Sequence, residues 1–156
     1  MKRYFEYEHL VTLADTNLVG NVYFANHLSW QGACRECFLA TEAPGVVRRL
    51  ADDLALVTVS CSCDYFSELY ALDMVSVRMS LQSIDANRIT MDFAYWRRAD
   101  GRPAQLVARG RQTVACMKRE GGRLLPTAVP DELRRALDRY ADSASARHVG
   151  VMKAVG

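Results

Sequence analysis

Between Asp73 and Arg97 the chain alternates apolar and polar residues in two runs joined by Asp85-Ala86-Asn87. Val75, Val77, Met79 and Leu81 alternate with Ser76, Arg78, Ser80 and Gln82; Ile89, Met91, Phe93 and Tyr95 then repeat the pattern. A strand places successive side chains on opposite faces, so each run presents one apolar face. Two such runs around a turn predict an antiparallel pair with one side to bury, which rules out a helical bundle.

Three further segments read as strands: Arg3–Leu13, Leu54–Phe66 and Pro103–Lys118. Glu120-Gly121-Gly122 closes the last of them and could turn the chain into a short extra strand. A single long amphipathic segment, from about Phe24 to Thr41, is set against these strands. Phe24, Leu28, Ala33, Cys37 and Phe38, with Ala40 or Thr41, recur at helical spacing and form its predicted apolar stripe, and Pro44-Gly45 stops it. A short second helix begins at Pro130, where proline suits the first helical position. Asp131 and Glu132 suit its dipole, and Leu133, Ala136 or Leu137, and Tyr140 form its apolar side. The pattern is an α+β fold: a five-stranded antiparallel sheet wrapped around one long helix, with a short C-terminal helix. Residues 1–142 form the domain, and 143–156, small and polar, are expected to be a disordered tail. The sheet face away from the helix also needs cover. Alternating Cys, Val, Ile and Met suggest that a second subunit supplies it.

The chain has 156 residues, half of them hydrophobic, enough for one domain with a core. A net charge of +2, with 20 basic and 18 acidic residues intermixed, argues against a dedicated nucleic-acid binder. The longest apolar run, Leu54–Val59, is too short for a membrane span. Charges interrupt the N-terminal MKRYFEYEHL, so no signal peptide is visible and a cytoplasmic protein is the expectation. Five cysteines fit reduced thiols. Cys34 and Cys37 lie within the predicted helix. Cys61 and Cys63 lie two apart on a strand, on one face with Val57 and Val59. Core thiols are therefore favoured over a metal or redox site.

The helix is preceded by DTNLVGNVYFANHLSW (Asp15–Trp30): a polar turn, a glycine and an apolar-aromatic step. The element order and this segment resemble the hot-dog thioesterases of the 4-hydroxybenzoyl-CoA thioesterase type, where D-x-x-G precedes the central helix. Thr16–Asn26, Leu28–Gly32, Cys34–Glu36 and Ala108–Gln112 are similar to phrases of one subgroup, the thioesterases that accompany enediyne polyketide synthases. The resemblance implies a single hot-dog domain that hydrolyses a polyene β-ketoacyl chain from an acyl carrier protein. It also implies assembly as a homotetramer of hot-dog dimers with sites at the dimer interface, and no cofactor or metal.

The family's catalytic carboxylate falls on Asn17. The subgroup also has Asn there, Arg at the position of Arg35 and a helping residue at Thr58. His27 stands where many relatives carry Tyr. Backbone N–H groups of Tyr23 and Phe24, at the helix start, fit an oxyanion hole. Asn17 has no useful acid–base pKa, but its amide can accept from water and donate to a carbonyl. Arg35 is permanently cationic and suits a β-keto oxygen or a developing carboxylate. Phe24 and Arg35 are eleven residues apart, about 16 Å along a helix, so Asn17 and Arg35 would have to meet from neighbouring chains. Glu36 is a reserve acid, about 100° around the helix from Arg35. Each residue also has a plain structural reading: Asn17 as a turn residue, Arg35 as a partner of nearby acids, Thr58 as an ordinary strand residue and His27 as a surface or interface residue.

Met79, Met91, Phe66 and Val59 are candidates for an acyl tunnel. A general acyl-CoA thioesterase and a non-catalytic acyl-chain binding protein are the alternatives. The missing basic cluster for a nucleotide phosphate favours a carrier protein over CoA. A hot-dog dehydratase would need a His–acid pair, and none of the histidines has an evident acidic partner in the sequence.

Overall fold

A computed structural model describes residues 3–141; the expected tail from 143 onward lies outside them. The elements are β1 (Phe5–Leu10), α1 (Ala25–Glu42), α2 (Pro44–Leu50), β2 (Leu54–Tyr65), β3 (Met74–Asp85), β4 (Arg88–Ala99), β5 (Arg102–Glu120), β6 (Arg123–Pro126) and α3 (Asp131–Asp138). The strands form one antiparallel sheet in the order β1-β3-β4-β5-β2, with β6 paired to the end of β5. The sheet wraps α1 and the short α3 closes one end, as in a single hot-dog domain. The alternating residues of β3 and β4 behave as expected. Val75, Val77, Met79, Leu81, Ile89, Met91, Phe93 and Tyr95 are all buried in the core.

The structure revises three expectations. The buried side of α1 is His27, Trp30, Gln31, Cys34, Phe38 and Leu39, whereas Phe24 is 59% exposed and Cys37 is exposed. Two polar residues share the core-facing stripe, and of the expected stripe only Phe38 is fully buried. Secondly, Pro44-Gly45 ends α1 but immediately begins α2, with Pro44 in the first turn, where a missing N–H costs nothing. The Glu132 carboxylate of α3 accepts the Gly45 N–H at 3.1 Å, a partner only the tertiary fold provides.

Thirdly, β2 carries a bulge between Thr58 and Ser60. One extra residue flips the parity of everything beyond it. Val57 pairs with Ala115, but Cys61 pairs with Gln112 and Cys63 with Gly110, so these cysteines turn toward the helix, opposite Val57. Cys34 and Cys116 are buried as core thiols, while Cys37 and Cys61 are exposed. The face of the sheet away from α1 is not the apolar surface expected. Ser62, Asp64, Arg78, Ser80, Asp92, Arg109 and Arg111 line a shallow depression there of about 420 Å³, in which Arg111 Nε donates to Asp92 at 2.8 Å. The apolar alternation of β3 and β4 was already spent on α1.

Candidate active site

The loop from Thr12 to Phe24 is built from its own backbone. One turn of 3-10 helix (Leu13–Asp15) is capped by Thr12, whose N–H donates to the Asp15 carboxylate at 2.9 Å. His9 Nε2 lies 2.9 Å from the same carboxylate and its ring packs at a tilt against Trp30. Histidine 9 therefore does have an acidic partner, one the sequence did not reveal. Burial pushes the Asp15 pKa up, but the Thr12 N–H and His9 outweigh it and hold the acid below its usual range.

Asn17 sits at the head of the next turn. Its N–H donates to the Asn21 carbonyl at 2.9 Å, and its Oδ1 accepts from the Val19 N–H at 3.0 Å. Gly20 completes the turn at φ 90°, a conformation that favours glycine. The turn reading of Asn17 is thus correct as geometry, and it has a chemical consequence. The Val19 N–H identifies which amide atom is oxygen and engages it, so the Nδ2 donor is the end free to meet a ligand. Asn17 lines an open depression of about 850 Å³ with Thr16, Leu18, Tyr23, Phe24 and Asn26.

The two expected oxyanion donors part company here. The Tyr23 N–H is taken by the Asp15 carbonyl at 2.9 Å, which removes it from that role. Among the described residues the Phe24 N–H has no acceptor, and it stands at the positive end of the α1 dipole. Phe24 and Asn17 line the same depression.

Arg35 lies about three turns further into α1, against the middle of β2 and β5. Its Nη1 donates to Gln112 Oε1 at 2.8 Å and approaches Thr58 Oγ1 at 3.5 Å. It makes no ion pair with Glu36, Glu42 or Asp15 in the fold; Glu42 is taken by Arg139 and Tyr140. Among the described residues its Nε is buried without a partner, and burial lowers its pKa. The structure thus joins Arg35 to Thr58 but leaves both away from the depression lined by Asn17. Glu36 is exposed; its charge acts on Arg35 only as a pull weaker than the burial that lowers the guanidinium pKa. Gln112, 4% exposed, is the partner that sequence reasoning missed, although it closes the phrase Ala108–Gln112.

His27 is not a surface residue. It is 3% exposed, inside an aromatic box of Trp30, Tyr65 and Tyr95 with ring centroids 5.1, 4.8 and 5.4 Å away. Desolvation lowers its pKa to about 4, against a weaker pull from the Phe24 backbone, so the ring is neutral at pH 7. The proposed tunnel residues do not meet: Met79 and Met91 are core, whereas Val59 and Phe66 are 43% and 58% exposed.

Comparison with known proteins fits this geometry. Residues 11–137 match the family model of the thioesterase-like superfamily. The 1,4-dihydroxy-2-naphthoyl-CoA hydrolase of Synechocystis is 30% identical over 114 residues, covering 72% of this chain and 80% of that protein. The chain belongs to the thioesterase-like superfamily. Among solved structures this thioesterase is similar to the dynemicin thioesterase, described in terms of polyene binding, at 58% identity and a TM-score of 0.85. That match covers 89% of this chain and 98% of that one. The 4-hydroxybenzoyl-CoA thioesterase of Pseudomonas sp. strain CBS-3 shares the fold at 18% identity and a TM-score of 0.72, over 86% and 99% of the two chains. Among the described residues no helix is long and apolar enough to cross a membrane, and no three His, Cys, Asp or Glu side chains converge as a metal site would need.

Proposed function

We propose that this thioesterase hydrolyses a polyene β-ketoacyl thioester carried by the acyl carrier protein domain of an enediyne polyketide synthase, releasing the linear chain. The observation that carries the reading is the 58% identity to the dynemicin thioesterase along nearly the whole of that chain. The reading takes a route without a carboxylate base. Water adds to the thioester carbon, and the oxyanion takes hydrogen bonds from the Phe24 N–H and the Asn17 amide. Collapse then breaks the C–S bond, giving the acid and the carrier thiol. A thioester is activated enough for positioning and charge stabilisation to dominate.

Arg35, with Thr58 beside it, stabilises the developing carboxylate. Because α1 separates it from the Phe24 end of its own chain, it acts on the site of a neighbour in a homotetramer of hot-dog dimers. The protein works in the cytoplasm, with no cofactor.

The test is to offer one β-ketoacyl chain on a carrier protein and on CoA and to follow free thiol. Asn17→Ala and Arg35→Ala should each cut turnover sharply on the carrier. Unchanged turnover in both would overturn the site, and chain binding without thiol release would mark a binding protein. The similarity to the Synechocystis CoA hydrolase favours a second reading, a general acyl-CoA thioesterase, which predicts faster release from CoA.

A further inference from the structure

Gln112 lies on β5, paired with Met91 of β4 on one side and Cys61 of β2 on the other, and is 4% exposed. A buried amide is costly unless its hydrogen bonds are made. Its Oε1 accepts from Arg35 Nη1 at 2.8 Å, across the seam between α1 and the sheet. A guanidinium only donates, so this bond fixes which end of the amide faces it. Thr58 Oγ1 lies 3.5 Å from the same Nη1. Of the two partners in the 2.8 Å bond, Gln112 is the stiffer, because its strand is flanked by β4 and β2. The long arginine side chain is the one that gains a fixed position.

What holds Arg35 is neutral. Among the described residues it makes no ion pair, and Gln112 and Thr58 carry no charge. Burying a cation without a counter-charge is unfavourable, so the contact is not explained by stability. A carboxylate at position 112 would bond the guanidinium more strongly and would cancel its charge. An amide bonds it less strongly and cancels nothing. The arrangement therefore keeps a cation still and leaves its charge to act on another group.

We infer that Gln112 is a positioning residue: its neutral amide fixes the Arg35 guanidinium and leaves the full positive charge to an oxyanion of the acyl thioester. This deepens the thioesterase reading proposed above and rests on it for the role of Arg35. Gln112 itself touches no reacting atom and acts through the arginine.

The test compares Gln112→Leu and Gln112→Glu in the full-length protein. Free thiol is followed from the carrier-bound β-ketoacyl chain, alongside the melting temperature. Gln112→Leu should lower kcat about 10–100-fold, the worth of one charge-assisted hydrogen bond, with KM changed by less than about threefold. Gln112→Glu keeps the acceptor and adds a counter-charge. It should melt no lower than Gln112→Leu, yet lose about tenfold or more in kcat. A glutamine that only supports the fold predicts otherwise: turnover follows the melting temperature, and Gln112→Glu works as the wild type does. That result overturns the inference. In an Arg35→Met background, Gln112→Leu should change kcat by less than about twofold, because no guanidinium is left to position. Losses that multiply overturn it as well. Should Gln112→Leu not fold, Gln112→Glu decides alone. Undiminished turnover in Arg35→Met would count against the proposed role of Arg35 and remove this inference with it. A loss in Arg35→Met with full turnover in both Gln112 variants counts against Gln112 alone.

Discussion

Asn17 and Arg35 are held by opposite kinds of structure. Asn17 is fixed by groups within four residues of it, in a turn open to solvent on one side. Arg35 is fixed by Gln112, 77 residues away, and by Thr58 across a strand bulge, with part of its guanidinium buried and unpartnered. The loop holds its residue through backbone chemistry and can tolerate changes around it. The helix–sheet contact holds its residue through packing, at a cost in desolvation that stability alone does not justify.

The sharpest way to break this contrast is at Arg35. Arg35→Met should lower kcat by about 10²–10³-fold, as loss of one preorganised charge donor does, while the melting temperature stays level or rises. Arg35→Lys should recover little, because an ammonium lacks the planar fork that meets Gln112 and Thr58. A large fall in melting temperature in Arg35→Met would show that the residue is structural.

His27 should give the next largest effect, on stability at acid pH. Its pKa in the fold is about 4, below its ordinary value of 6.5, so the unfolded chain binds more protons between those pH values. Stability from the neutral ring is full above the ordinary value and is lost as pH falls toward about 4, in total roughly 3 kcal/mol. Urea titrations at pH 7.5 and 4.5 should show that loss in the wild type and much less of it in His27→Phe. Equal losses would place the acid sensitivity elsewhere.

Gly110 tests how closely the helix–sheet region is packed. A Cβ there would overlap Gln31 Nε2 and come within 2.9 Å of the Ser62 carbonyl. Gly110→Ala should cost about 1–3 kcal/mol, read as a melting shift of several degrees. Adding Gln31→Ala should not restore it fully, since the backbone contact remains. The smallest effect belongs to the loop. Asn17→Ala loses the Val19 bond and should cost about 1 kcal/mol, whereas Asn17→Asp keeps the acceptor and should match the wild type within about 0.5 kcal/mol. If both variants are equally destabilised, the side-chain turn does not hold the loop.

Much of the fold was legible because it follows from local period. The β3–β4 hairpin, the long β5, the single long helix and the Pro130 helix start all come from residues a few positions apart. The errors occurred where distant residues decide. The stripe of α1 was misread because His27 and Gln31 occupy core positions: Gln31 bonds the Ser62 carbonyl at 2.9 Å, and His27 has an aromatic box. The parity of Cys61 and Cys63 was misread because a bulge leaves no periodic mark in a run as uniform as VTVSCSC. Tyr23 lost its oxyanion role to the Asp15 carbonyl, a pairing that depends on how the loop folds back on itself.

The architecture and the motif follow from local pattern alone. Alternation demanded a one-sided sheet, helical spacing allowed one long helix, and Asn17-x-x-Gly20 at its start set a turn and placed a free amide. These are short-range consequences of backbone geometry and side-chain period. Packing in three dimensions sets which face of α1 is buried and brings Gln112 and Thr58 to Arg35. Those relations join residues far apart in the chain, and their energies come from burial and close packing, which no local pattern encodes.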